Sequence, residues 1–88
     1  MLEHRVHLSI EEWNDVDFRK EVEEDWAKVR LSPDIVDPTT AAAHLQLLVR
    51  AAGYPRVSVD IHRTVDEAMA HVAHFEVSRE PREAAVRA

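Results

Sequence analysis

Phe18, Val22, Trp26 and Val29 recur at i, i+4, i+8 and i+11 within Glu11–Leu31, EEWNDVDFRKEVEEDWAKVRL. That spacing stacks the four side chains along one face of an α-helix. Most residues between them are charged, so the helix has one face to bury and needs a second layer to bury it against. With 88 residues the chain has room for a single domain. A domain of this size keeps a stability margin of only about 5 kcal/mol. The chain has no cysteine, which excludes disulfide staples, thiolate metal sites and thiol nucleophiles. A small unstapled core predicts a homodimer.

The same stretch holds the charge. Glu11, Glu12, Asp15, Asp17, Glu21, Glu23, Glu24 and Asp25 face only Arg19 and Lys20, so Glu11–Asp25 alone accounts for the net charge of −6. The rest of the chain is mixed and neutral. The acids lie in the first half of the helix, and Lys28 and Arg30 close its last turn, both favourable to the helix dipole. Trp13, Val16 and Leu31 fall off the apolar stripe. They require another neighbour or a break near Asn14.

Residues 4–10, HRVHLSI, alternate as a strand with one wet face. Ser9-Ile-Glu-Glu12 fits a capping box that turns the strand into the helix. Ser32-Pro33 ends that helix. Asp37-Pro38 reads as N-cap and first position of a second helix over about Thr39–Ala52, with Ala41, Leu45, Leu48, Val49 and Ala52 facing inward. His44 is expected at the margin of that core face. Gly53, the only glycine, stands where a left-handed residue closes a helix. Residues 56–62, RVSVDIH, alternate again. Thr64-Val-Asp-Glu67 has the form of another capping box, which predicts a third helix from Val65 to about Ser78 that buries Val65, Ala68, Met69, Val72 and Phe75.

These elements predict an α+β fold: a small single domain over residues 1–80, in the order β-α-α-β-α, with two short strands packed against three helices. Residues 81–88 are expected to be a C-terminal tail, frayed or with one extra helical turn. Two strands alone make a marginal sheet. They pair with each other under the helices, or a strand edge pairs with a second copy.

The sequence has no glycine-rich phosphate loop, no G-x-S-x-G turn and no HExxH pair. The expectation is a non-enzymatic protein without a cofactor. Six histidines are many for this length, so metal binding needs weighing. Glu67, His71 and His74 would stack at i, i+4 and i+7 on the polar face of the third helix, which makes them the weak candidates for a metal site. His7 and His62 would sit side by side on the wet face if the two strands pair.

RVHLSIEEW, a basic-flanked alternating strand running into a capped helix, resembles the opening of ribbon-helix-helix regulators. In that family a strand from each of two chains enters the DNA major groove. The resemblance implies an alternative function, a dimeric DNA-binding regulator using the strand at residues 4–10. Here the following helix is longer, no Gly-x-Ser turn follows, and the adjacent acids repel phosphate.

The charge pattern favours a different function. An acidic amphipathic helix suits the basic surface of another protein, with acids steering the encounter and an aromatic anchor adding affinity. Trp13, Asp17, Glu21, Glu24 and Asp25 form the expected contact set. The expected role is a regulatory or inhibitory protein-binding module, including charge mimicry of nucleic acid. No apolar run approaches the roughly 18 residues of a membrane span, and no signal-peptide pattern is present. A cytoplasmic location is therefore expected.

Overall fold

The computed structural model describes residues 2–79. The elements are β1 (Leu2–Leu8), α1 (Ile10–Asn14), α2 (Val16–Leu31), α3 (Pro38–Ala51), β2 (Ser58–Val65) and β3 (His71–Ser78). The class is α+β, with three helices and a three-stranded sheet of order β1-β3-β2. The expected tail at 81–88 lies outside the described residues.

The helix starts follow their caps. Ser9 Oγ accepts from Glu12 N–H at 3.3 Å. The long first helix breaks at Asp15, whose carboxylate accepts from Phe18 N–H at 3.1 Å and starts α2 afresh. That break moves Trp13 onto a separate short helix. Asp37 caps α3 through Thr40 N–H at 2.9 Å, with Pro38 in the first turn. Gly53 closes α3 with φ of +121°, a conformation that side-chain-bearing residues rarely adopt.

The predicted third helix does not form; residues 65–78 complete a β2–β3 hairpin instead. Asp66 explains the difference. Its N–H donates to the Ala70 carbonyl at 3.0 Å, and its carboxylate accepts from Ala68 and Ala70 N–H. Short acidic side chains of this kind compete with helix for backbone donors. The chain then turns through Met69 at φ of 64°, the one non-glycine residue with positive φ among those described. Val65 and Met69, expected in the core, are 52% and 79% exposed.

A left-handed residue with a side chain costs about 1–2 kcal/mol that glycine avoids. Met69→Gly should therefore raise stability by about 1 kcal/mol in denaturant melts. Within a helix the same change would lower it by a similar amount, so the sign of the result separates hairpin from helix.

β3 is the central strand. It runs parallel to β1 and antiparallel to β2. Ala73, Phe75 and Val77 point to the helices and are buried. In register, Val6 and Ile61 flank Phe75, and Leu8 and Val59 flank Val77. The core joins these to Phe18, Val22 and Val29 of α2 and Ala41, Ala42, Leu45 and Val49 of α3. α3 also covers the outer edge of β2: Gln46 accepts from Val59 N–H at 3.0 Å, and Arg50 Nε donates to the Val57 carbonyl at 2.7 Å. These bonds occupy backbone groups at the start of that edge, which discourages pairing there. The three strands pair within one chain, with β1 and β2 as the two edges of the sheet. His44, expected at the core margin, is exposed, and so is Ala52.

Candidate functional site

α2 presents three different surfaces, and the expected contact set divides among them. Asp17, Glu21 and Glu24 are at i, i+4 and i+7 and share one flank. Asp17 and Glu24 are exposed and Glu21 half-buried. None of the three has an ion pair among the described residues.

Asp25 does not belong with them. It is 1% exposed, because it falls on the inward stripe Phe18, Val22, Asp25, Val29. The sequence suggested Trp26 for that stripe, since it is apolar; Trp26 is only half-buried, at the stripe's edge. Asp25 therefore cannot touch a partner. Lys28 Nζ lies 3.6 Å from its Oδ1, while Oδ2 is buried without a hydrogen-bond partner.

Asp25 still acts on the flank above it. The Glu21 carboxyl is raised above its ordinary value of 4.5, first by a hydrogen bond with Asp25, then by partial burial and by the charges of Asp25 and Glu24. Such a carboxyl keeps its proton longer in the folded state than in the unfolded chain. Its contribution to stability is full below the ordinary value and is lost as pH rises through the raised one. Glu21→Gln should remove that loss. It should stabilise the domain at pH 7 by up to about 0.5 kcal/mol, the scale of a like-charge pair on a helix, and give no gain at pH 4. Denaturant melts at the two pH values check this.

Trp13 lies on the other side of α2. With Val6, Leu8, Val22, Glu23 and Trp26 it lines an apolar groove of about 200 Å³. The Arg19 guanidinium sits 4.8 Å from the centre of its ring and donates to its carbonyl at 3.3 Å. This cation–π contact fixes a ring that remains 50% exposed.

Two other acids of the segment are neutralised from a distant part of the chain. Arg79 Nη1 contacts Asp15 Oδ2 at 2.7 Å, and Arg79 Nε lies 4.0 Å from Glu12 Oε1. Its guanidinium also lies over the Phe18 ring at 5.3 Å. Arg79 thus ties the end of β3 to the α1–α2 junction. Sequence spacing holds no signal for this contact, because 64 residues separate Arg79 from Asp15.

The open face of the sheet, opposite the helices, gathers the histidines. His74 on β3 sits between His7 on β1 and His62 on β2, so these two flank it instead of meeting each other. The His7 and His74 rings are stacked with centroids 4.6 Å apart, and those of His62 and His74 are 5.5 Å apart. Glu76 lies opposite both His7 and Asp60 in register. Together they line a shallow concavity of about 540 Å³. Desolvation, then the neighbouring charges of His7, His62 and Arg5, hold the His74 imidazole below its ordinary pKa.

The expected trio of Glu67, His71 and His74 is dispersed, because its spacing belonged to a helix. Glu67 is in the hairpin turn, and His71 and His74 point to opposite faces of β3. Among the described residues, no three His, Asp or Glu side chains are placed to hold an ion as they stand. No described helix is long and apolar enough to cross a membrane. No family model, no curated protein and no solved structure matches this chain.

Proposed function

We propose that this domain is a non-enzymatic binding module whose α2 flank of Asp17, Glu21 and Glu24 docks on a basic surface of another protein. The observation that carries the reading is the crowding on that flank. Three acids stand one turn apart above a buried fourth, Asp25, and the Glu21 carboxyl is raised first by its hydrogen bond with Asp25, with the charges of Asp25 and Glu24 adding to it. Solubility alone is served as well by acids spread over the surface. Concentrating them on one flank costs stability, and a cationic partner offsets that cost on binding.

The contact set is accordingly Asp17, Glu21 and Glu24, with Asp25 buried beneath them and hydrogen-bonded to Glu21. Trp13 belongs to a separate apolar groove and is not part of this surface. Glu12 and Asp15 are committed to Arg79. An inhibitor that occupies a nucleic-acid-binding surface of its target is the specific form this proposal takes, since such surfaces are basic and phosphate-spaced. The test is capture from host lysate on the immobilised domain, compared with a variant carrying Asp17→Lys, Glu21→Lys and Glu24→Lys. A protein held by the first and not by the second supports the assignment; equal capture by both refutes it.

A further inference from the structure

Five nitrogen and oxygen ligands share the open sheet face: His7 from β1, His74 and Glu76 from β3, and Asp60 and His62 from β2. In register, His62 opposes His74, while His7 and Asp60 oppose Glu76 on either side. The five therefore occupy two neighbouring rungs across all three strands.

This grouping places like charges together. Asp60 and Glu76 are like charges directly opposite each other, which destabilises a strand pair. Neither has an ion pair among the described residues. A divalent cation relieves that strain.

Two of the imidazole nitrogens are already close together. Two imidazole nitrogens bound to tetrahedral zinc at about 2.0–2.1 Å are about 3.3 Å apart. His7 Nε2 and His74 Nδ1 are 2.5 Å apart and hydrogen-bonded. Replacing that proton with a metal requires the rings, stacked at 29°, to separate by about 1 Å and to turn until both ring planes point at one ion. The exposed His62 ring lies nearly parallel to His74, at 14°, and has room to turn toward the same point.

We propose that His7, His62 and His74 bind one divalent transition-metal ion, with Glu76 as the fourth ligand. Three imidazoles and a carboxylate suit zinc, and nickel binds the same donor types. The ion ties β1 to the β2–β3 hairpin, contacts 67 residues apart in the chain.

The experiment is calorimetric titration of the chelator-stripped full chain, free of any histidine tag, with ZnCl2 and with NiCl2 at pH 7.5. Cobalt absorption spectra and thermal melts accompany it. The expected result is one equivalent bound per chain, a higher Tm with the ion, and the visible bands of four-coordinate cobalt. His62→Gln and His74→Gln should each weaken binding at least 10-fold, whereas His44→Gln on α3 should leave it unchanged. His62 is exposed, so its variant folds and keeps the test decisive. Absence of saturable binding overturns the proposal, and so does binding that survives both His62→Gln and His74→Gln.

Discussion

Phe75→Ala is expected to lower the melting temperature by roughly 12–40 °C, leaving a domain close to unfolded at physiological temperature. Phe75 is fully buried on the central strand. Trp26 meets its ring edge-on at 5.0 Å, and the His4 ring lies 5.8 Å away. Truncating a buried phenylalanine costs about 3–5 kcal/mol, and the lost ring pairs are included in that cost. A chain of this length has about 5 kcal/mol in total. Met69→Ala serves as the comparison. Both residues lie on the apolar face of the helix that the sequence suggests, yet Met69 is 79% exposed in the hairpin. A large loss at Phe75 with almost none at Met69 identifies the hairpin. Similar losses at both would restore the helix.

The second large effect is on association. Reversing Asp17, Glu21 and Glu24 to lysine changes the charge of one flank by six units and buries nothing new. Electrostatic steering contributes about 10- to 1000-fold to association rates. The triple variant should therefore associate with the captured partner at least 100-fold more slowly, with far-ultraviolet circular dichroism unchanged. Glu23→Lys, on the opposite flank of α2, should have less than a tenth of that effect. Equal losses from the two variants would mean that overall charge matters and the flank does not.

Much of the helical architecture is legible in the sequence because it is set locally. Ser9, Asp37, Pro38 and Gly53 each act on neighbours within a turn, and each appears where its chemistry places it. The break beneath Trp13 is also foreshadowed, since Trp13 and Val16 fit no single stripe with Phe18. Residues 65–78 are different. Val65, Met69, Val72 and Phe75 satisfy a helical period, and Ala73, Phe75 and Val77 satisfy alternation in the same letters. Pairing decides between them: as a strand, this segment joins β1 on one side and β2 on the other. No local signal contains that information.

The candidate sites inherit both outcomes. Asp17, Glu21 and Glu24 are where helical spacing puts them. Asp25 differs by one position of the wheel, because an aspartate at i+7 takes the inward place that apolar character assigns to the tryptophan at i+8. Helical spacing does not apply to His71 and His74, because residues 71–78 are a strand. Once the segment is a strand, His74 leaves His71 and Glu67 and joins His7 and His62, a grouping that needs the sheet order β1-β3-β2 to be known first.

The most direct measurement of the central claim is the association rate between the wild-type domain and its captured partner at a series of salt concentrations. An acidic docking flank predicts a rate that falls steeply between about 0.01 and 0.15 M salt, as the screening length shrinks from about 30 to 8 Å, with a slope that disappears in the triple lysine variant. A rate independent of salt, or one with the same slope in both proteins, would contradict it.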